Sequence, residues 1–268
     1  MIRPKKQYGQ NFLEDEMILE SIAHALPLTW KHVLEIGPGY GALTDFLLRE
    51  TPASLECIEI DRDMVRMLRD RMHAEWTWLP LTLYEWDVLT FTPTKEEYTV
   101  IANIPYYITS PILMRLLYDV PVSPQSMIIM MQKEVWEKIL SAFHTPRKSS
   151  YFSLLMEYRC RAIREVLSVP RTAFYPVPQV DSLVLEFVVE KERSREEEQW
   201  LIPLWRQAFL HPRKTLLSNL ALRSDEKERS ISWLEARGYT PHVRAERLTL
   251  EDWRSFLKEL RGMEIPIS

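Results

Sequence analysis

Residues 103–106, Asn-Ile-Pro-Tyr, combine the groups needed to hold a planar base by an amino substituent. Pro105 fixes its own φ and pushes Ile104 toward an extended conformation, so the Ile104 carbonyl has no competing amide beside it. The Asn103 side chain adds a second acceptor, and Tyr106 offers a ring face for stacking. Acceptors on both protons of an adenine amine would aim its lone pair at an electrophile, with positioning supplying most of the rate. We therefore predict methyl transfer from a sulfonium donor, the alternative being a plain turn after a strand.

A glycine-rich loop earlier in the chain predicts where the donor binds. Three of the six glycines, Gly37, Gly39 and Gly41, lie between a predicted strand and a predicted helix, where a ligand can approach backbone amides. Glu59 ends the next strand, at the spacing of a carboxylate that binds a ribose. Asp87 ends the third strand, where it would meet an adenine amine or cap a turn. We predict an adenosine-type cofactor, although the loop also fits the G-x-G-x-x-A pattern of dinucleotide sites.

The elements that position these residues alternate along the chain. Short apolar runs predict strands at 32–37, 54–60, 81–87, 98–103, 126–132 and 182–189. Apolar residues at helical spacing predict helices at 41–50, 63–73, 110–118 and 133–142. This alternation is typical of the α/β class, with a mostly parallel sheet and helices on both faces.

The character of the chain changes near residue 192, after which a charged run precedes helical patterns without a strand. We predict a first domain at 1–192 and a helical second domain of about four helices at 193–268. Pro203 should start or kink the first of these helices, because it lacks an amide donor.

Composition narrows the class of protein further. Cys57 and Cys160 lie in separate strand-like runs, and the histidines lack metal-ligand spacing, so neither a disulfide framework nor a metal site is predicted. No apolar run is long enough to span a membrane, and no secretory signal is recognised, so we expect a cytoplasmic protein. Ser149 and Ser150 have no His and Asp arrangement nearby that would indicate a hydrolase triad.

The net charge and the local charges differ in what they indicate about binding of nucleic acid. The net charge of −4 argues mildly against a protein covered by RNA, since phosphate binding usually leaves a basic footprint. Two local clusters are nevertheless candidates for contact with an RNA backbone. They are Arg147 with Lys148 and Arg213 with Lys214. A solvated surface or an exposed helix start is the alternative for each.

The sequence resembles the rRNA adenine N6,N6-dimethyltransferases, the KsgA/Dim-type small-subunit enzymes, which are related to the erythromycin-resistance methylases of large-subunit rRNA. The matching motifs are GQNFL (9–13), VLEIGPGYGALT (33–44), IEID (58–61), NIPYYI (103–108), MQKEV (131–135), VPRTAFYPVPQVDS (169–182) and AFLHPRKTL (208–216). The resemblance implies a Rossmann-like class I methyltransferase domain with S-adenosylmethionine as cofactor. It also implies dimethylation of two adjacent adenosines near the 3′ end of 16S rRNA during ribosome biogenesis, with the second domain docking RNA.

The resemblance also implies roles for individual residues. Cofactor contacts fall on Asn11, Leu13, Gly37, Glu59, Asp87 and Asn103. The target adenine would lie between Tyr106 and Phe174. The sequence departs from the family pattern at Tyr107, at 149–155 and at His211–Pro212, which bears on RNA contact rather than on the chemistry. The expected partner is small-subunit rRNA or an immature small subunit, and a monomer is expected.

Three alternatives remain at this point. The first is a large-subunit rRNA methylase that confers macrolide resistance. The second is a noncatalytic RNA-binding assembly or transcription factor on the same fold, which would not need Asn103 or Tyr106. The third is a nicotinamide-dependent oxidoreductase that uses the glycine loop, although no acid or base for hydride transfer stands out.

Overall fold

The structure is a computed structural model that describes residues 4–5, 8–104, 108–134, 136, 149–190 and 194–262. It divides into two compact units. The first comprises Met1–Trp136 and Cys160–Lys191, and the second comprises Glu137–Arg159 and Glu192–Ser268. The second unit therefore includes residues 137–159, which the sequence analysis assigned to the first domain.

A seven-stranded sheet forms the centre of the first unit. Its strands are β2 (His32–Ile36), β3 (Ser54–Glu59), β4 (Leu81–Glu85), β5 (Thr99–Asn103), β6 (Ser126–Gln132), β7 (Cys160–Val169) and β9 (Ser182–Val189). Their order across the sheet is β4-β3-β2-β5-β6-β9-β7. The first five run parallel, while β9 is antiparallel to both neighbours. The predicted α/β class with a mostly parallel sheet is thus confirmed.

The core strands are buried on both faces, as parallel strands covered by helices are. Every residue of β2 after His32 is buried, as is every residue of β3 after Ser54. Helices α1 (Glu16–Ala23), α2 (Ala42–Arg49), α3 (Arg62–Ala74) and α4 (Thr109–Met114) accompany the sheet, and α4 continues into a π-helical turn at Arg115–Asp119. Asp15 caps α1 and Asp61 caps α3 through side-chain bonds to backbone N–H groups.

A separate two-stranded sheet joins distant parts of the first unit. Strand β1 (Phe12–Leu13) pairs antiparallel with β8 (Phe174–Tyr175), so Leu13 lies opposite Phe174. These short strands were not predicted, because each has only two residues and no alternation to detect.

The second unit is helical in its described part. Its helices are α5 (Tyr151–Arg159), α6 (Arg195–Ala208), α7 (Leu216–Leu220), α8 (Ser224–Ala236) and α9 (Leu250–Arg261). Residues 194–262 hold four of these helices and no strand, as predicted. Trp205, Trp253 and Phe256 are completely buried. Pro203 lies inside α6, which begins earlier with Ser194 as its cap, so of the two predicted roles, start or kink, the start is wrong. The Ser194 hydroxyl accepts from the Glu197 amide and starts the helix instead.

The six predicted strands are all present. Strand β7 was not one of the six, although its first residue, Cys160, had been placed in a strand-like run. Two register shifts in its pairing with β9, at Cys160/Ala162 and Glu165/Leu167, interrupt the alternation that would reveal a strand. Most of the helix predicted at 133–142 lies outside the described residues. Within the described part of the chain, no helix is both long and apolar enough to cross a bilayer.

Candidate active site

A cavity of about 270 Å³ opens at the carboxyl edge of the parallel strands. Backbone bonds beyond the strand ends set the register there, because the Gly37 amide donates to Ile58 at 2.9 Å and the Trp86 amide donates to Glu59 at 3.0 Å. The lining includes every residue predicted to bind the cofactor. These are Asn11, Leu13, Gly37, Gly39, Glu59, Asp87 and Asn103, and the predicted catalytic residues Ile104 and Phe174 lie there too.

The glycine loop adopts a backbone that other residues rarely reach. Gly37, Gly39 and Gly41 have φ values of 68°, 60° and 92°, all in the left-handed region. A Cβ on Gly39 would lie 3.1 Å from the Phe12 ring, so the loop and the N-terminal part of the chain approach closely here. The Gly39 amide donates to Glu59 Oε2 at 3.1 Å, which joins the loop to the carboxylate predicted to bind the ribose.

Glu59 is 7% exposed and is held by three backbone amides. Besides Gly39, the amides of Ile60 and Asp61 both donate to its Oε1 at 2.9 Å. Burial raises the pKa of Glu59, and these three hydrogen bonds oppose that effect. A carboxylate has about four acceptor positions, so one remains for a hydroxyl in the cavity.

Arg71 of α3 holds the glycine loop together with Asp45 and Trp76, and we call these three residues the brace. Its guanidinium donates to the Tyr40 carbonyl at 3.1 Å and to both oxygens of Asp45 at 2.9 and 2.8 Å. It also stacks on Trp76, whose indole N–H donates to Asp45. Sequence reasoning missed this brace because its members are spread over helices α2 and α3 and the turn after α3.

Glu35 is a second acid at the cavity, and unlike Glu59 it was not predicted from the sequence. It is 1% exposed in the middle of β2, and its Oε2 accepts from the Thr44 hydroxyl at 2.7 Å and the Cys57 thiol at 3.4 Å. Burial raises the pKa of Glu35 to about 7. An acidic residue inside an otherwise apolar strand was the available signal.

Asp87 caps a turn, as one of the two interpretations from the sequence expected, and its contact with an adenine amine stays a prediction. Its Oδ1 accepts from the Leu89 amide at 2.9 Å, as a turn cap does, and the residue also lines the cavity. Trp86, which was not predicted, lines the cavity beside it with its indole fixed by a 3.0 Å bond to Thr90.

Asn103 and Ile104 lie where β5 leaves the sheet. Asn103 is the last residue of β5, opposite Met130, and Ile104 is 3% exposed. Neither the Asn103 side chain nor the Ile104 carbonyl receives a hydrogen bond from any residue in the described ranges. Phe174 is 4% exposed and reaches the same cavity. The predicted catalytic residues Pro105 and Tyr106 lie outside the described residues, as does Tyr107.

The RNA-binding candidates can be located in the second unit. Arg213 and Lys214 are exposed on the loop before α7, which is joined to the loop before α9 by a 2.8 Å bond from the Leu216 amide to Val243. Arg244 is exposed on that second loop. None of these three cations forms an ion pair with a described residue. Arg147 and Lys148 lie outside the described residues.

No group of three or more His, Cys, Asp or Glu side chains that could hold a metal ion occurs in the described part of the chain.

Comparison with known proteins identifies the family. A family model described as "Ribosomal RNA adenine dimethylase" matches residues 1–261. "Ribosomal RNA small subunit methyltransferase A" of Lactococcus lactis is 35% identical over 263 residues, 93% of this chain and 87% of that protein. The crystal structure of a dimethyladenosine transferase from Plasmodium falciparum has a TM-score of 0.74 at 24% identity, covering 94% of this chain and 98% of that one. That of the 23S rRNA methyltransferase ErmE has a TM-score of 0.73 at 24% identity, covering 94% and 100%. The last two likenesses concern the fold, whereas the family match extends over nearly all of the sequence, and the chain therefore belongs to the ribosomal RNA adenine dimethylase family.

Proposed function

We propose that this protein transfers methyl groups from S-adenosylmethionine to the N6 amines of two adjacent adenosines near the 3′ end of small-subunit rRNA. The single observation that carries the proposal is the convergence of Gly37, Glu59, Asp87 and Asn103 on one cavity. Four separate strand ends supply them, as a ligand site at the carboxyl edge of an open α/β sheet requires. Membership of the adenine dimethylase family and the 35% identity to a small-subunit methyltransferase support the choice of substrate.

The residues present fit an adenosine-type cofactor with a positively charged donor group. Gly37 and Gly39 line the cavity without a Cβ that would take up space there, and Glu59 keeps acceptor capacity for a ribose hydroxyl. Asp87 would accept from the cofactor adenine, with Trp86 packed beside it, while Asn11 and Leu13 close the cavity from the N-terminal side. S-adenosylmethionine supplies an electrophilic methyl group bound to sulfur.

The target amine would be held at the end of β5. The Asn103 side chain and the Ile104 carbonyl are two neighbouring acceptors without a described partner, and a planar base that presents an NH₂ group would satisfy both. Accepting both protons favours a pyramidal nitrogen whose lone pair points at the methyl group. Phe174 would pack against one face of the base and Tyr106 against the other.

We infer that the partner is the rRNA or the immature small subunit, bound partly through the second unit. Arg213, Lys214 and Arg244 lie on two hydrogen-bonded loops and have no acidic partner among the described residues. Phosphates would neutralise them. We infer a cytoplasmic reaction, because the proposed substrate is an assembling ribosomal subunit.

Replacement of Asn103 by Ala tests the proposed site. We expect the variant to lose at least about 100-fold in the rate of methyl transfer, because one acceptor on the reacting amine is gone. Binding of S-adenosylhomocysteine should stay within about threefold of the wild-type affinity, since the glycine loop and Glu59 are untouched. The transfer is measured on purified immature small subunits by mass spectrometry of the rRNA nucleosides. Unchanged turnover in this variant would discredit the site.

The same assay separates the two rRNA substrates. We expect dimethyladenosine in small-subunit rRNA and none in protein-free large-subunit rRNA. Methyl transfer to the large-subunit rRNA alone would assign the protein to the other activity.

A further inference from the structure

Asp61 connects the N-terminal residues of the chain to the edge of the cavity. Its side chain is 1% exposed, and its Oδ1 accepts from Lys5 Nζ at 2.5 Å while its Oδ2 accepts from Gln10 Nε2 at 2.8 Å. Lys5 Nζ also lies 2.6 Å from Asp63, and the Lys5 amide donates to Gln10 at 2.8 Å. A buried carboxylate thus joins residues more than fifty positions apart in the sequence.

The residues that Asp61 anchors form one side of the cavity. We call residues 4, 5 and 8–13 the N-terminal segment. Its residues 8–13 all line the cavity, and its far end is fixed where Leu13 pairs with Phe174 in the two-stranded sheet. Between these attachments, the Phe12 ring packs edge-on against Tyr40 of the glycine loop, with ring centroids 5.3 Å apart. The segment is therefore tied down at both ends across the cofactor cavity.

The backbone of Asp61 holds a residue that lines the same cavity. Its amide donates to Glu59 Oε1 at 2.9 Å, so the residue that anchors the N-terminal segment also orients the acid predicted to bind the ribose. Asp61 itself is not among the residues that line the cavity.

We propose that Asp61 is a positioning residue that holds the N-terminal segment over the cofactor cavity through Lys5 and Gln10, and thereby slows the release of the cofactor. The inference rests on the proposed function, because it requires an adenosine-type cofactor in this cavity. Residues 8–13 line the cavity, so a cofactor that leaves past them requires the segment to move and the contacts to Asp61 to break.

Asp61 and Lys5 are both held in their charged forms, as an ion pair between them requires. Burial would raise the pKa of Asp61, but hydrogen bonds from Lys5 and Gln10 outweigh that effect and lower it. The same two carboxylates, Asp61 and Asp63, raise the pKa of Lys5. Both partners therefore stay charged near neutral pH.

The Asp61→Asn variant tests the proposal without removing the helix cap. Asn caps helices as well as Asp does, so α3 keeps its start. Asn has only one acceptor oxygen, however, whereas Lys5 and Gln10 donate to different oxygens of Asp61. Lys5→Met removes the other partner. The matched control is Asp15→Asn, because Asp15 also caps a helix through backbone amides and has no ion pair with a described residue.

In full-length protein, we expect S-adenosylhomocysteine to dissociate about tenfold faster from the Asp61→Asn and Lys5→Met variants, as loss of one charged hydrogen-bonded pair implies. The KM for S-adenosylmethionine should rise about tenfold while kcat on small subunits stays within about twofold. The double variant should dissociate no faster than either single variant. Amide hydrogen exchange in residues 8–13 should increase in both variants without ligand, and Asp15→Asn should match the wild type in every measurement.

Two results would overturn the inference, and they are distinguishable. If wild-type protein binds no S-adenosylhomocysteine, the proposed function fails and the role of Asp61 fails with it. If the wild type binds but both variants release ligand at the wild-type rate, or Asp15→Asn releases it as fast as they do, only the role of Asp61 is wrong.

Discussion

Glu35 is an acid placed where a parallel strand normally carries an apolar side chain. It has a hydroxyl and a thiol as hydrogen-bond donors, and no cation neutralises it within the described part of the chain. Burial without a counter-charge favours the protonated form, which accounts for a pKa of about 7 in the folded protein against 4.5 for an ordinary glutamate. The protein thus keeps a titrating group beside its cofactor cavity.

The pKa of Glu35 gives a prediction for stability against pH. Between pH 4.5 and about 7 the unfolded chain loses the Glu35 proton while the folded protein retains it, so the free energy of unfolding falls as pH rises through this window. The loss is up to about 3 kcal/mol. Glu35→Gln keeps the acceptor for Thr44 and removes the titration. In denaturant unfolding, the free energy of unfolding of the variant should rise relative to that of the wild type from pH 5 to pH 8. Parallel curves of this free energy against pH would contradict the prediction.

At the residue scale, the sequence was sufficient to predict the polar cavity residues that lie at the ends of strands. It was not sufficient for Glu35, which lies inside a strand. Glu59, Asp87 and Asn103 could be predicted because the carboxyl ends of parallel strands meet at one edge. Glu35 and Trp86 were missed, because an acid inside a buried strand was the one available signal for Glu35 and Trp86 resembles an ordinary surface aromatic. Their roles depend on packing that spacing does not report.

The glycine loop is held between two elements that the sequence gives no reason to connect. Its inner side meets Glu59, and its outer side is bound by Arg71 of α3. A Cβ on Gly41 would lie 2.8 Å from Trp76 and 3.0 Å from Arg71, so this brace leaves no space for a side chain. Trp76 and Arg71 can therefore pack in this position only if residue 41 is a glycine.

Gly41→Ala should destabilise the protein and weaken cofactor binding together. The left-handed backbone alone costs about 1–3 kcal/mol for a residue other than glycine, and displacement of Trp76 adds to it. Gly238→Ala is the matched control, because Gly238 has a φ of 74° but no atom within 4 Å of an added Cβ. Thermal unfolding and S-adenosylhomocysteine titration of both variants check this. Equal effects in the two would show that the brace is unimportant.

At the element scale, periodicity found the six strands whose pattern is uninterrupted and failed where pairing is irregular. Strand β7 carries two register shifts, and β1 and β8 are too short to show a period. Pro203 was expected to start or kink α6, and the start is wrong because the helix begins earlier, at the Ser194 cap.

The whole molecule has a net charge of −4, yet its second unit presents uncompensated cations. Arg213, Lys214 and Arg244 are exposed together, whereas Arg223 and Arg254 are paired with Glu226 and Glu197. Net charge alone therefore does not show which cations lack an acidic partner, whereas the ion pairs of the folded chain do.

Replacing Arg213, Lys214 and Arg244 by Gln should weaken binding to immature small subunits and reduce its dependence on salt. The slope of log K against log salt concentration should fall by about 2–3, roughly one for each phosphate that is no longer neutralised. Arg195, Arg206 and Lys227 are exposed on other helices of the unit, and their replacement by Gln removes the same charge. Binding titrations at several salt concentrations should distinguish the two triple variants, and identical slopes would exclude a specific role for the first set.

The second unit is assembled from two separated stretches of the chain, and this has a consequence for synthesis. Tyr158 of α5 packs against Trp205 with ring centroids 5.7 Å apart, and Arg254 lies over the Tyr158 ring. During synthesis α5 therefore emerges from the ribosome before α6 and α9, which carry Trp205 and Arg254, have been made. A gene fragment ending after β9 would yield a polypeptide whose Tyr158 lacks both neighbours, and one beginning at α6 would lack Tyr158 itself. Neither half can be produced intact by cutting the gene once.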